Sequence, residues 1–448
     1  MAGTPSTSAD LRRAKLRGAQ NKNGGQFDGI SKWLFHNQIG LAFYAVLPLV
    51  LSHILFPSVR PFTTKFLKLS YYNPVTNKYG AGHNDLCFVA LCVVLCIGVR
   101  AAMMRDVLSP LGRCWGIKKK KDATRFAEQG WMLTYYLAVW PFGMYLYYNS
   151  PYYMNMEELW SDWPQRELDG PMKAYMLVQW AYWVQQVISV NIEEQRKDYT
   201  EMLIHHAITL SLIAAAYAYH QTRVGHLILV LMDVIELIFP LAKCLKYIGF
   251  TTLCDAVFGV FLFVWIWTRH VFYLMTCWSV YKDLPKAIIL DKPCFSGAPG
   301  EITGPFATPK EGWSHLLEPF KDPAGTVCFT RGVWTSFLTF LVALELVICA
   351  WSFFIFRVTL RVLKGASAED VRSDGEDEES DVVEEWEEEE VVEEEEVGVD
   401  SIDLKAWERR NAAKKQTSSS TRTSGVRVRS HSERKDILNR IGCEKQID

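Results

Sequence analysis

Ten histidines are spread through the 448 residues, and only at His205-His206 do two stand side by side. The pair belongs to Asp198-Tyr-Thr-Glu-Met-Leu-Ile-His205-His206-Ala-Ile-Thr209, an otherwise apolar stretch, and Asp233 falls inside the apolar run that follows. Imidazole, with an ordinary pKa of ~6.5, takes a proton from an amine or hydroxyl, and a nearby carboxylate fixes its tautomer and stabilises the imidazolium. Imidazole can also attack a thioester itself and carry the acyl group briefly. Acyl transfer is therefore chemistry that this set can perform, with the division of roles between the two histidines left open. Helical spacing gives them different surroundings: His205 and Thr209, four residues apart, share a face, while His206 points about 100° away. One ring can line a cavity while a neighbour holds the other.

Other uses of histidine fit less well. A single buried histidine such as His53 or His270, taken alone, reads as a satisfied core residue. A catalytic metal needs about three protein ligands, and His-rich di-iron membrane enzymes need several histidine boxes; one adjacent pair supplies neither, so no metal is expected.

The elements that must position these groups are membrane helices. Hydrophobic residues make up 49% of the chain and aromatic residues 13%, gathered into runs of the length a helix needs to cross a ~30 Å hydrocarbon layer. Eight spans are expected, at about 39–56, 86–104, 131–148, 174–190, 203–219, 226–248, 256–280 and 334–356. Polar residues intrude into the fourth and fifth, as in helices that face other helices rather than lipid. An ionisable group inside a span costs about 2.5–3.5 kcal/mol, so His205, His206 and Asp233 persist where they face a polar cavity.

Loop charge sets the expected orientation. Arg12, Arg13, Lys15, Arg17, Lys22 and Lys32 precede the first span, and Arg105, Arg113, Lys118 to Lys121 and Arg125 lie in or beside the second connection, placing both on the cytoplasmic side. The third connection holds Glu157, Glu158, Asp162, Glu167 and Asp169 and belongs opposite. Parity makes the Gly- and Pro-containing connection at 281–333 lumenal and returns the C-terminus to the cytoplasm. Cys294 and Cys328 lie in that connection and could pair in an oxidising lumen; two unpaired thiols are the other reading. Most of the eleven cysteines read as small core residues, since none has the CxxC spacing of a zinc site. No cleavable signal peptide is read, because the first apolar run is long enough to stay in the membrane.

Formal net charge is −2, but the stretch Asp374–Glu396 carries sixteen Asp and Glu and no Lys or Arg, so the remainder is basic. A basic body with many spans suits an anionic membrane surface; the spans argue against nucleic acid, the other reading of basic charge. Residues 365–448, acidic and then rich in Ser and Thr, cannot bury enough apolar surface to offset ordering and are expected to be disordered. Ser373 and Ser380, beside acidic residues, suit an acid-directed kinase or are simply part of a solvated tail. The chain thus divides into a basic segment (1–38), two N-terminal spans (39–119), a six-span domain (120–364) and the tail.

At this point the residues fit a known family. His205-His206-x-x-Thr209-x-x-Leu212, Tyr217, Arg223, Gly225, Met232-Asp233 and Leu237 to Lys243 resemble the signature of ceramide synthases of the TLC-domain family, fungal type. Arg125-Phe-Ala-Glu-Gln129, Gln195-Arg-Lys-Asp-Tyr199 and Trp265-Ile-Trp-Thr-Arg269-His270 are similar too, so the likeness covers about 120–365. It implies an all-α polytopic membrane protein in which six of about eight helices form a barrel around a lipid cavity. It also implies an enzyme of the endoplasmic reticulum membrane, both termini cytoplasmic, that N-acylates a sphingoid base (sphinganine or phytosphingosine) from acyl-coenzyme A and releases coenzyme A. The coenzyme would lie at the basic cytoplasmic rim. His205, His206 and Asp233 match the catalytic set; Arg223, Thr209, Tyr217, Trp265, Arg269, His270 and Lys243 match substrate-contacting positions. No tightly bound cofactor is implied, and the expected partners are the two substrates, membrane lipids, a small single-span accessory subunit and a homo- or hetero-oligomer.

Departures are local. Met232-Asp233 stands where many relatives have His-Asp, Val234-Ile235-Glu236 replaces a Ser-x-Asp-like sequence, Ala216 replaces a serine, and Pro240 interrupts the sixth span. A homeobox-like insert of some animal members is missing. A non-catalytic TLC-domain protein, for lipid sensing or translocation, is the alternative, although it would have no need of the intact histidine pair and Asp233. A proton-relay transporter would show internal repeats with discontinuous helices, and none is evident.

Overall fold

The computed structural model describes residues 27–192, 199–287, 293–297, 302–308, 314–322 and 325–363. All belong to a unit that runs through Trp386. The basic charges before residue 27, Gln195 to Asp198, Ser373, Ser380 and the tail lie outside the described residues.

Long helices occupy all eight expected stretches. They are α1 (Phe27–Leu55), then, after a short α2 (Arg60–Leu67), α3 (Asp85–Cys114, with a π-helical turn at Met103–Leu108), α4 (Lys120–Tyr148) and α5 (Gly170–Ile192). Next come α6 (Tyr199–Ala218), α7 (Thr222–Ile248) and α8, which runs from Thr251–Trp265 through a π-helical turn at Ile266–Phe272 into Tyr273–Lys282. A short α9 (Ser314–Lys321) precedes α10 (Arg331–Leu363). Most begin or end beyond the apolar run that announced them, because a helix continues for as long as its ends find polar partners.

Six of these helices, all but α4 and α5, are long and apolar enough to cross a membrane on their own. α4 and α5 have the length but are too polar. Their polar groups are covered by protein: Gln129 on α4 and Lys173, Gln179 and Gln185 on α5 are all buried. Such side chains face neighbouring helices, where a lipid-facing position would leave them unpaired. Pro240 does not break α7, which is one helix from Thr222 to Ile248. A proline removes one N–H from the ladder without ending a helix that its neighbours hold in place.

Connections at one end of the bundle are tied together. β2 (Lys78–Gly80) lies between β1 (Tyr72–Asn73) and β3 (Glu167–Leu168), with Tyr79 opposite both Tyr72 and Leu168. The connections after α1 and after α4 therefore sit at the same end. A second sheet, in the order β5-β4-β6, joins β4 (Cys294–Ser296), β5 (Thr303–Phe306) and β6 (Val327–Cys328). Arg166 Nη2 donates to the carbonyls of Phe295 (3.3 Å) and Gly325 (2.8 Å), and Trp163 Nε1 donates to the carbonyl of Tyr219 (2.9 Å). Four connections thus meet at one end, which requires α3 through α8 and α10 each to traverse the bundle. The protein is an all-α, multi-pass membrane protein.

Cys294 and Cys328, open between two readings from sequence, form a disulfide across the β4–β6 pair. Burial raises the desolvation cost of the Arg166 guanidinium and lowers its pKa, an effect that nearby Asp322 opposes.

Candidate active site

The chamber that concerns function lies between α5, α6, α7, α8 and α10 and spans about 840 Å³, a volume that includes its opening to solvent. α4 supplies none of its lining and backs α7 instead, with Trp140 Nε1 donating to the carbonyl of Val230 at 3.2 Å. Polar groups collect toward one end of the chamber, where His205, Thr209, Asp233, Glu236 and Arg269 face it. Toward the tied connections its wall is Trp160, Val280, Leu284, Phe329 and Phe337.

α6 divides the histidine pair as its periodicity dictates. His205 and Thr209 face the chamber. His205 packs edge-on to Trp351 at 4.9 Å and Trp183 at 5.6 Å between ring centroids. Its Nδ1 and the Thr209 hydroxyl are buried with no hydrogen-bond partner among the described residues. His206, turned away, has Nδ1 2.5 Å from the Met202 carbonyl, to which it donates, and packs on Trp183. A backbone carbonyl can only accept, so that bond sets the His206 tautomer and leaves its Nε2 as the acceptor nitrogen. The two rings stand nearly perpendicular with centroids 5.7 Å apart.

Asp233 is fully buried on α7. Gln179 on α5 donates through Nε2 to Asp233 Oδ2, and the Tyr175 hydroxyl reaches the same oxygen at 3.5 Å. Gln179 is itself held, since it also donates to the Tyr175 hydroxyl (3.1 Å) and accepts from the Tyr135 hydroxyl of α4 (3.1 Å). One carboxylate oxygen is thus fastened to α5, while Oδ1 has no partner among the described residues. Buried polar atoms are nearly always paired; His205 Nδ1, Thr209 Oγ1 and Asp233 Oδ1 around one apolar chamber depart from that rule.

Arg269 completes this end. It donates to the sulfur and to the carbonyl of Met232 (2.9 Å for the latter), lies 5.3 Å over the Trp265 ring and stands 3.9 Å from Glu236 Oε1. Met232, standing in place of a histidine, serves as an acceptor for this guanidinium.

Of the other residues singled out from sequence, five do not line the chamber. Tyr217 donates to Asp85 Oδ2 at 2.7 Å and packs with Trp180 outside it. Arg223 is bound to the connection after α4, donating to the Glu158 carbonyl (2.5 Å) and the Ser161 hydroxyl (2.6 Å), with its guanidinium over the Tyr152 ring. Trp265 donates to Ser352 on α10 (2.9 Å). His270 bridges Glu345 (2.9 Å) and Ser352 (2.7 Å) at the α8–α10 contact. Lys243 lies 4.5 Å over the Phe239 ring. A sequence motif records positions under constraint without separating a lining residue from a fastener; four of these five join one element to another, and the Lys243 contact stays within α7. Among the described residues, ligand-type atoms of His270, Glu345 and Cys349 come within 4.8 Å of one another, outside the chamber lining.

Sequence reasoning missed Gln179 and Tyr175. Their only signal was the polarity of α5. It also missed His226, buried beside Tyr175 (5.0 Å between rings), with Nδ1 2.7 Å from the Tyr152 hydroxyl and Nε2 3.1 Å from the Gly143 carbonyl. Burial pushes the Tyr152 phenol above its ordinary pKa, so it stays a donor to Nδ1 and leaves the Nε2 proton for Gly143. Glycine is needed at 143, where a Cβ would come within 2.8 Å of the Tyr175 ring.

Known proteins resemble this chain over most of its length. Residues 125–357 match the TLC domain model of the TRAM, LAG1 and CLN8 group. A ceramide synthase of Gibberella moniliformis is 49% identical over 333 residues, 74% of this chain and 77% of that one. A sphingosine N-acyltransferase-like protein of Alternaria alternata is 39% identical over 77% of each chain. A sphingosine N-acyltransferase of Schizosaccharomyces pombe is 34% identical, over 75% of this chain and 79% of that one.

Proposed function

Because the chain belongs to the TLC-domain family, among its ceramide synthases, we propose that it joins the acyl group of an acyl-coenzyme A to the amino group of a sphingoid base, inside the chamber. The protein is an acyltransferase of sphingolipid metabolism; the substrates and residue roles are what is proposed. One observation carries the assignment: His205 and Asp233, on different helices, line the same apolar space, and each keeps a buried polar atom with no partner among the described residues.

In this reading the amine nitrogen attacks the thioester carbonyl, a C–N bond forms, and the C–S bond breaks. His205 takes the proton that the nitrogen loses and returns it to the departing sulfur, so that amide and free thiol leave together and no cofactor is consumed. His206, fixed by the Met202 carbonyl, keeps the His205 side of α6 in register and acts as a positioning residue. Asp233, steadied through Oδ2 by Gln179, offers Oδ1 to the amine or to the charge that develops on imidazole. Arg269 and Thr209 are the substrate-contacting candidates that the chamber retains.

Placement in the endoplasmic reticulum with both termini cytoplasmic is supported by the Cys294–Cys328 disulfide, which belongs in an oxidising compartment. The Lys and Arg of residues 118–125 lie at the opposite end of the bundle. Coenzyme A would then approach from the basic side, with the acyl chain running toward Phe329 and Phe337.

The test is an assay of the purified full chain with a panel of acyl-coenzyme A donors and two bases, sphinganine and phytosphingosine, read by mass spectrometry. His205→Ala is expected to lower ceramide formation about 10²–10⁴-fold with an unchanged melting temperature. Wild-type protein that forms no amide from any pair, or a His205→Ala variant as active as wild type, would end the proposal.

A further inference from the structure

The far end of the chamber holds a polar group that the reaction does not use. Gln221 follows α6 in the turn to α7, is 4% exposed and lines the chamber. Its backbone N–H is bound to the Ala216 carbonyl at 2.7 Å, so the turn does not depend on its side chain. The side-chain Nε2 is buried with no hydrogen-bond partner among the described residues.

The surroundings make this exceptional. Trp160 Nε1 donates to Ser279 Oγ (2.9 Å), and that hydroxyl donates in turn to Asp283 (3.1 Å). The Tyr219 hydroxyl donates to the Leu316 carbonyl (2.7 Å), and Trp334 Nε1 to the Val280 carbonyl (2.9 Å). The aromatic rings of this end have thus placed their polar atoms on protein, whereas Gln221, which lines the chamber with Leu284, Phe329 and Phe337, keeps Nε2 without a partner among the described residues. An amide left unpaired in such a place costs free energy unless the ligand supplies its partner.

We infer that Gln221 is a subsite for an oxygen near the remote end of the bound lipid chain, and that a hydroxyl is the group it fits. The inference deepens the acyltransferase reading and depends on it for the placement of the chain's head near His205. From His205 to the end of α6 at Ala218 the helix rises about 20 Å, so the oxygen belongs near the terminus of a long chain and not beside its carbonyl. A hydroxyl both donates and accepts. It therefore satisfies the amide whichever way its oxygen and nitrogen are turned, which a keto oxygen does not. A plain methyl terminus fills the space and leaves the amide unpaired. The enzyme accordingly favours chains hydroxylated near the ω end over unsubstituted chains of equal length.

The experiment uses the purified full chain and measures affinity, by thermal shift and by competition, for palmitoyl-coenzyme A, its ω-hydroxy analogue and its 2-hydroxy analogue, repeated for the myristoyl and stearoyl series. In at least one length the ω-hydroxy thioester is expected to bind about tenfold more tightly than the plain one, ~1.4 kcal/mol, with no such gain from the 2-hydroxy group. Gln221→Leu, or Gln221→Met if the former does not fold, is expected to bring the ratio to one or below. Equal affinities of wild type for plain and ω-hydroxy chains at every length would overturn the subsite, as would a preference that survives both substitutions. Should no thioester bind, the acyltransferase reading fails by itself. The plain and ω-hydroxy free acids, compared in the same way, then decide the subsite: a preference lost on substitution upholds it and equal binding overturns it.

Discussion

Two carboxylates are buried almost equally in this protein, Asp85 at 1% exposure and Asp233 at none, and their surroundings complete them in opposite ways. Asp85, at the start of α3, has a cation against one oxygen and two hydrogen-bond donors on the other. Lys173 Nζ stands 2.7 Å from Oδ1, while Oδ2 accepts from the Tyr217 hydroxyl (2.7 Å) and the Gly82 N–H (2.9 Å). Lys173 is finished in turn by the carbonyls of Ser70 (2.9 Å) and Gly80 (2.6 Å). The cluster joins the connection after α1 to α3, α5 and α6. Asp233 lines the chamber with one oxygen held and the other without a partner among the described residues. A closed network specifies structure, whereas an open one keeps interactions in reserve for a ligand.

The contrast can be broken most forcefully at Asp85. Removing one member of a buried ion pair strands the other charge, at a cost of about 3–5 kcal/mol. Asp85→Ala is therefore expected to deplete folded protein, measured as a large drop in melting temperature or in monodisperse yield. An Asp85→Ala protein that is as stable as wild type would mean that the closed network is dispensable. Asp233→Asn is expected to do the reverse, lowering amide formation about 10²–10⁴-fold while the melting temperature stays within a degree or two of wild type. Collapse of the fold instead would place Asp233 in the same class as Asp85.

Gln179→Leu sharpens the comparison with a smaller effect. It frees Asp233 Oδ2 without touching the substrate, and is expected to lower kcat about tenfold with KM retained, the pattern of an interaction that matters chiefly in the transition state. A change confined to KM would show that Gln179 serves binding and does not steady Asp233.

How much of this was legible in the sequence follows from what side chains announce. Ionisable residues within apolar runs announce themselves by cost, so His205, His206 and Asp233 stood out as candidates, and the four-residue spacing to Thr209 matches the face of α6 that lines the chamber. Gln179 and Tyr175 are neutral and differ from core residues only in what they touch across a helix interface, which no single-chain periodicity encodes. Tyr217, Arg223 and His270 erred in the other direction: their motif positions drew attention, but their partners Asp85, Ser161 and Glu345 lie 132, 62 and 75 residues away, and only the packed bundle shows that those partners use them up. The eight helices were legible because length and apolarity suffice for most of them. Polar intrusion is read in the fourth and fifth spans, α5 and α6, whereas α4 and α5 are the two too polar to cross on their own, and protein covers their polar groups.

The π-helical turn of α8 has a consequence of its own. Within Ile266–Phe272 the backbone accommodates wider turns than the α-helix on either side, and there two consecutive residues look in different directions, Arg269 to Met232 on α7 and His270 to Glu345 on α10. Such a turn carries about one surplus amino acid relative to a plain α-helix. Excision of a single codon in this segment would let α8 relax to regular geometry and rotate everything beyond it by roughly 100°, carrying Tyr273, which is bonded to the Leu341 carbonyl, off its partner while Arg269 moved little. The length of this segment is therefore under a constraint separate from the identity of its residues, since loss of one residue would misdirect every contact beyond it.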